Sequence, residues 1–286
     1  MKVPSNKISV IISYYQTLLE ELLSKEESVQ LIRDLIAHFT SIKRNEISLN
    51  FDKRVSESQL LNIHFGVKDL LNNRPLQHII GTAPCLDFDF IINENVLIPR
   101  PETEELVDII SKSINNESLK ILDIGTGSGC IAISLQKLTN AQITAVDISK
   151  EALKIATKNA KLNNANINFI ELDILNKEAW KQTDNDYDII VSNPPYVRNQ
   201  EKKLMSKNVL NYDPSMALFV DDKNPLIFYK AISKFAKSHL KPNGTLWFEI
   251  NEYLGKETKE LISKHFNTVE IIKDFRGKER FIKVRS

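Results

Sequence analysis

Apolar positions divide the chain into regions of different periodicity. Up to about residue 77 they recur at helical spacing. Ile32, Leu35, Ile36 and Phe39 form one stripe at i, i+3, i+4, i+7, and Leu18, Leu19, Leu22 and Leu23 form another. Ser56 followed by Gln59 is a capping-box pattern ahead of Leu60, Leu61, Leu70 and Leu71. The pattern predicts a small helical bundle over residues 1–77 with no catalytic chemistry of its own. From His78 the spacing changes to alternation. Phe88, Phe90 and Ile92, then Val96 and Ile98, flank Asn93-Glu94-Asn95, which reads as a β-hairpin turning at those three residues and connecting two domains over residues 78–98.

From residue 99 to 286 strand and helix patterns alternate. Strands are expected at Lys120–Ile124, Ile143–Asp147, Asn168–Leu172, Asp188–Ser192, Thr245–Ile250, Val269–Lys273 and Arg280–Val284, with helices such as Lys150–Asn163 and Pro225–Ser238 between them. Such alternation predicts a doubly wound parallel α/β sheet. The short connection through Gly277 is too small for a crossover helix, so the last two strands should pair antiparallel. An open α/β sheet ending in this way resembles the class I (Rossmann-like) methyltransferase sheet.

Composition narrows the function classes. Basic and acidic residues nearly cancel, 38 against 37, which lacks the basic surplus of most nucleic-acid binders. Cys85 and Cys130 stand far apart in sequence and outside metal-ligand spacing, so neither a disulfide framework nor a zinc site is expected. No run approaches the roughly 20 apolar residues of a membrane span, and the first residues have no leader pattern, so a cytoplasmic protein is expected.

Two motifs carry chemistry. Ile121-Leu122-Asp123-Ile124-Gly125-Thr126-Gly127-Ser128-Gly129 runs a strand into a glycine loop and then a helix from Cys130, so backbone can approach a ligand closely. The next strand ends in Asp147, whose carboxylate can accept both hydroxyls of a ribose. Alternate glycines also occur in NAD and FAD sites. Here, however, the third glycine comes one residue early, and Asp123 suits a ligand with a positive amino-acid end. S-adenosylmethionine is therefore the expected cofactor, against the bland reading of a structural turn. The second motif, Ser192-Asn193-Pro194-Pro195-Tyr196, directly follows the fourth strand. First and fourth strands flank the switch point of such a sheet, so this segment should share the crevice of the glycine loop. The Asn193 side-chain oxygen and the Pro194 carbonyl could each accept one hydrogen of a planar NH2 group, while Tyr196 stacks on it. Pro195 lacks an N–H, so the local backbone cannot consume that carbonyl. Positioning of this kind aims a poor nucleophile without a tuned base. Read alone, Asn-Pro-Pro is as readily a rigid turn.

Asn-Pro-Pro-Tyr after a fourth strand resembles amino-group methyltransferases in general, including those acting on bases of DNA and RNA. Nearly the whole chain is more specifically similar to the PrmC/HemK family. The likeness rests on the helical start, Val96-Leu97-Ile98-Pro99-Arg100-Pro101-Glu102-Thr103-Glu104, the glycine loop, Val191 through Tyr196, Asp213-Pro214-Ser215-Met216-Ala217-Leu218 and Asp274-Phe275-Arg276-Gly277-Lys278-Glu279-Arg280. The resemblance implies methylation of the glutamine in the Gly-Gly-Gln motif of class I peptide-chain release factors, with residues 1–77 recognising that substrate. It implies that Asn193, Pro194, Pro195 and Tyr196 bind the glutamine. It also implies that Asp123, Gly125, Thr126, Gly127, Ser128, Gly129, Asp147, Ile148, Asp173, Ile174 and Asn193 hold S-adenosylmethionine, with Asp173 and Ile174 flanking adenine. Two departures stand out: family members often have an aromatic residue where Ile174 stands, and a glycine-rich stretch where this chain has Val220-Asp221-Asp222-Lys223-Asn224.

Weaker candidates have structural readings beside them. Arg100 and Glu102 could contact substrate or cofactor, or form salt bridges. Glu249 and Asn251 could face the crevice, with capping of a strand end the favoured role. Trp180, Cys130 and the histidines 64, 78, 239 and 265 fit packing, and the lysines 202, 203 and 207 a solvated loop. A nucleic-acid amino-methyltransferase is the competing function; the acidic Asp87, Asp89 and Glu94 weigh against it. A non-catalytic binding module with this fold should have lost Asn193 or the glycines, and both remain.

Overall fold

A computed structural model describes residues 3–114 and 119–286, which form two compact units. The smaller comprises the chain through Gly81 together with Ser206–Tyr212. It contains α1 (Ile8–Leu19), α2 (Lys25–Phe39), α3 (Glu57–Leu71) and α4 (Leu76–Ile80), plus a later short helix, α8 (Lys207–Tyr212). Ser24 caps α2 by accepting from the Glu27 amide, and Ser56 and Gln59 form the reciprocal capping box of α3. The core joins Ile8, Ile11, Tyr15 and Leu19 to Ile32, Leu35 and Ile36 and to Leu60, Ile63 and Val67. Gly66 lets α3 approach α2 closely, since a β-carbon there would sit 2.9 Å from Leu35 Cδ2.

The second leucine stripe is only partly realised. Helix α1 ends at Leu19, and the amides of Leu22 and Leu23 both donate to the Leu19 carbonyl, closing the turn into α2. Leu22 is consequently exposed, and the buried stripe of α1 lies earlier, from Ile8 to Leu19.

The larger unit begins with an antiparallel hairpin, β1 (Thr82–Cys85) and β2 (Phe88–Ile91). Its turn is Leu86–Asp87, not Asn93–Asn95, and Val96 and Ile98 are buried without joining a strand. The reason is Asn159, fully buried on α7 (Lys150–Leu162). Its Oδ1 accepts from the Ile91 amide at 2.6 Å and its Nδ2 donates to the Ile91 carbonyl at 3.1 Å, which occupies the edge a returning strand would need.

Helix α5 (Pro101–Lys112) starts at a proline whose missing N–H costs nothing in the first turn. The sheet contains β3 (Lys120–Ile124), β4 (Gln142–Asp147), β5 (Ile167–Glu171), β6 (Tyr187–Ser192), β9 (Leu240–Glu249), β10 (Thr268–Lys273) and β11 (Glu279–Arg285) in the order β10-β11-β9-β6-β3-β4-β5. All neighbours are parallel except β11, which pairs antiparallel with both β9 and β10. Strands β7 (Val197–Arg198) and β8 (Phe219–Val220) make a separate short parallel pair. Helix α6 (Cys130–Thr139), with α5, α7 and the hairpin, covers one face through Leu106, Ile131, Ile133 and Ile155. Helices α10 (Ile227–His239) and α11 (Gly255–Ile262) cover the other through Tyr229, Ile232, Phe235 and Ile262. The short helix α9 (Ser215–Leu218) lies between β7 and β8 in the chain. Because β3 is paired with both β4 and β6, the glycine loop and the Asn-Pro-Pro segment leave the sheet at adjacent carboxyl ends. No helix among the described residues is long and apolar enough to cross a membrane.

Candidate active site

A cavity of about 400 Å³ opens at those strand ends. The turn after β3 is tied down from two sides: Gly125 and Thr126 amides donate to the Val146 carbonyl, and the Gly127 amide donates to Asp147 Oδ2 at 2.9 Å. Gly125 and Gly127 have φ of +77° and +55°, and a β-carbon on either would meet no atom within 4 Å, because both face the open cavity. Glycine is thus required here both for conformation and for close approach of a ligand. Gly129 answers a packing need, since a β-carbon would lie 2.9 Å from Ile133 Cδ1 and 3.2 Å from Ala156 Cβ.

Asp147 Oδ1 accepts from the Ser149 amide at 2.8 Å, so each carboxylate oxygen already holds one backbone donor. A carboxylate has about four acceptor positions, which leaves capacity for two hydroxyl donors. Burial raises the Asp147 carboxyl above its usual value, opposed by the amides of Ser149, Gly127 and Ile148.

Asp123 lies beneath the loop and does not line the cavity. It is fully buried; its Oδ2 accepts from Thr126 Oγ1 at 2.7 Å, while Oδ1 has no partner among the described residues. Burial pushes this carboxyl up to about 7, against the lowering effect of the Thr126 hydroxyl. Its direct role is therefore to hold the loop.

Gly125, Thr126, Gly127, Ser128, Asp147, Ile148, Asp173 and Ile174 all line the cavity, as do Asn193, Pro194 and Pro195. Gly129 and Tyr196 do not. Tyr196 packs against the core beside β9 and donates its hydroxyl to Glu249 Oε1 at 2.9 Å. In this arrangement the ring does not stack in the cavity. Asp173 Oδ1 accepts from the Leu175 amide, and Ile174 presents an apolar wall whose carbonyl accepts from the Trp180 indole at 3.0 Å. Trp180 itself packs edge-on against Phe235, a packing role.

Thr103 escaped the sequence reading, and Glu249, expected chiefly to cap a strand end, has a further role. Thr103, in the first turn of α5, is buried, lines the cavity, accepts from Asn193 Nδ2 at 3.1 Å and donates to Glu249 Oε2 at 2.7 Å. Glu249, buried at the end of β9, thereby joins Thr103 to Tyr196. The signal was present as a threonine inside the Ile-Pro-Arg-Pro-Glu-Thr run and a carboxylate at a strand end, but nothing in their spacing links residues so far apart. Asn251 does not face the cavity; its Nδ2 donates to the Tyr196 carbonyl and to Glu201 Oε2, both at 3.1 Å.

Arg100 lines the cavity and pairs with the buried Asp213 at 2.6 Å; Glu102 pairs with Arg276 at 3.4 Å. Contact with Cys85 and burial raise the Cys130 thiol well above the ordinary value, which disfavours its thiolate form. His64 bonds Tyr15 at 3.0 Å and His239 stacks on Phe235, both structural.

The donor set suits S-adenosylmethionine: a glycine cradle that any β-carbon would partly fill, a carboxylate with free acceptor positions for a ribose, and an apolar wall for a flat base.

Comparisons with known proteins agree with this geometry. Residues 13–81 match the PrmC N-terminal domain and residues 102–213 the methyltransferase small domain. Among solved structures, a methyltransferase from Pyrococcus furiosus superimposes with a TM-score of 0.53 at 19% identity, covering 80% of this chain and 98% of that one. A Thermus thermophilus 16S rRNA N2 G1207 methyltransferase in complex with AdoMet and guanosine gives 0.52 at 16%, covering 72% and 49%. At those identities the likeness establishes the fold. In sequence, a release factor glutamine methyltransferase of Flavobacterium psychrophilum is 47% identical over 93% of this chain and 94% of its own. One from Bacteroides thetaiotaomicron is 40% identical over 95% and 98%. With a Rossmann-like sheet, the matching N-terminal domain and relatives aligned along nearly their whole length, the chain belongs to the release factor glutamine methyltransferase family.

Proposed function

We propose that this protein methylates the side-chain nitrogen of the glutamine in the Gly-Gly-Gln motif of class I peptide-chain release factors, using S-adenosylmethionine. The observation carrying the reading is that the glycine loop and Asn193-Pro194 line one cavity, so an activated methyl and a planar NH2 group can meet there. The cofactor supplies an electrophilic methyl group on a sulfonium. The chain's own residues do the rest by binding and aiming. Gly125 to Ser128 and Asp147 hold the cofactor, with Ile148, Asp173 and Ile174 around its base. Asn193 Oδ1 and the Pro194 carbonyl each accept one hydrogen of the glutamine amide. An amide nitrogen is a weak nucleophile because its lone pair is delocalised, and fixing both hydrogens orients it for in-line attack. The methylated nitrogen is strongly acidic and releases its proton through Asn193 Oδ1 or solvent, so no tuned base is needed. Residues 1–77, helical and without a catalytic cluster among the described residues, are assigned to recognition of the protein substrate.

The test is transfer of label from S-adenosylmethionine to a release factor, to the same factor with glutamine replaced by alanine, and to DNA and RNA. Label should appear only on the unaltered factor. Equal labelling of the alanine form, or preferential labelling of nucleic acid, would overturn the reading in favour of a base-methylating enzyme.

A further inference from the structure

We infer that Thr103 and Glu249 are positioning residues that fix which end of the Asn193 side-chain amide faces the acceptor glutamine. The inference rests on the proposed glutamine-methylating reading and extends it to the origin of amide selectivity.

Hydrogen-bond direction carries the inference. An ionised carboxylate can only accept. Both Glu249 oxygens receive O–H donors, Tyr196 at 2.9 Å on Oε1 and Thr103 at 2.7 Å on Oε2. The Thr103 hydroxyl has one hydrogen, and Glu249 takes it. Toward Asn193, 3.1 Å away, Thr103 can therefore offer only a lone pair, and Asn193 must answer with Nδ2–H. The amide is planar, so its Oδ1 is left for the cavity. Without this chain of constraints the two ends of an asparagine amide are nearly equivalent in shape, and either could face the ligand.

The consequence is chemical. With Oδ1 presented, Asn193 and the Pro194 carbonyl offer two acceptors and no donor, which matches the NH2 of a glutamine and repels a carboxylate. Reversed, Asn193 would offer N–H and would accommodate a glutamate. The two O–H groups aimed at its oxygens suit an ionised Glu249. Burial raises this carboxyl above its usual value and the neighbouring Glu102 adds to that, against the lowering effect of the Thr103 and Tyr196 donors and of Arg280. Tyr196 keeps its proton, since burial and Glu249 raise its hydroxyl well above the ordinary value. The Asn251 amide on the Tyr196 carbonyl and the Tyr229 hydroxyl on the Glu249 carbonyl, both at 3.1 Å, hold the two backbones in place.

The test compares wild type, Thr103→Val, Thr103→Ala and Thr103→Ser with a release factor carrying glutamine or glutamate at the acceptor position. Valine keeps the shape and removes the hydroxyl; alanine only removes atoms, which guards against disturbed packing by the added methyl. With melting temperature as a folding control, kcat should fall roughly 100-fold in the valine and alanine variants, as expected for loss of positioning. The Kd for S-adenosylmethionine should stay unchanged. Serine should restore most of kcat. In binding experiments with S-adenosylhomocysteine present, wild type should prefer the glutamine factor over the glutamate factor, and Thr103→Val should narrow that preference. A folded Thr103→Val or Thr103→Ala enzyme with wild-type kcat and undiminished preference, or a serine variant as slow as valine, overturns the inference while leaving the function intact. Failure of wild type to label the glutamine brings down both.

Discussion

The Gly127 amide lies 2.9 Å from Asp147 Oδ2, so the carboxylate proposed to receive the cofactor's ribose also holds the glycine loop in position. On that reading a single side chain couples the shape of the cradle to its main anchor. Asp147→Ala removes both functions. Loss of hydrogen bonds to a charged group, about 1.5–3 kcal/mol in general, should raise the Kd for S-adenosylmethionine roughly 10- to 100-fold. Calorimetric titration of the folded variant measures this, and wild-type affinity would refute the anchoring role.

Asn193→Ala separates holding the cofactor from aiming the acceptor. The glycine loop and Asp147 are untouched, so cofactor binding should persist while kcat drops by two or more orders of magnitude. Single-turnover transfer from preloaded enzyme reads the chemical step directly. A variant that transfers methyl at the normal rate would remove Asn193 from the mechanism.

Asp123 should make the stability of the fold depend on pH. Its carboxyl is raised to about 7 in the folded protein, from the ordinary 3.8. The folded state therefore holds the proton more tightly than the unfolded chain. The resulting stabilisation is complete at acid pH below the ordinary value and is lost as pH rises through about 7. Asp123→Asn keeps an oxygen to accept from Thr126 but cannot ionise. Relative to wild type the variant should gain stability between pH 5.5 and pH 8. Denaturant titrations at the two pH values should show that trend, and a constant difference would contradict it.

Gly129 and Gly127 should fail differently when replaced by alanine. At Gly129, φ is +84° and a β-carbon presses on Ile133 and Ala156, so destabilisation of roughly 1–3 kcal/mol is expected. At Gly127 the added methyl meets no protein atom and enters the cavity, so cofactor affinity should suffer beyond the backbone strain. Urea unfolding paired with cofactor titration distinguishes them; identical profiles would show that the two glycines serve one purpose.

Much of this was readable from the chain because local rules governed it. Seven strands were expected within a few residues of where they occur, since buried parallel strands are short apolar runs bounded by turn residues, and the antiparallel end followed from a connection too short to cross over. The capping box at Ser56 appears as expected for the same reason. The failures arose where a distant partner intervened. Asn159 claims the edge of β2 and displaces the expected turn from Asn93–Asn95, and no local pattern announces that. Tyr196 was expected to stack on the substrate, but Glu249 draws its hydroxyl toward the core. Thr103 was missed, and Glu249 was weighed only as a strand-end cap, because only the folded sheet brings the two together.

The Asn193–Thr103 and Thr103–Glu249 contacts span 90 and 146 positions of the chain. Closing such long loops is slow compared with forming a helix. During refolding, far-UV ellipticity should therefore recover before the ability to transfer methyl. Enzymatic competence then serves as a clock for the final docking of α5 and β9 around β6.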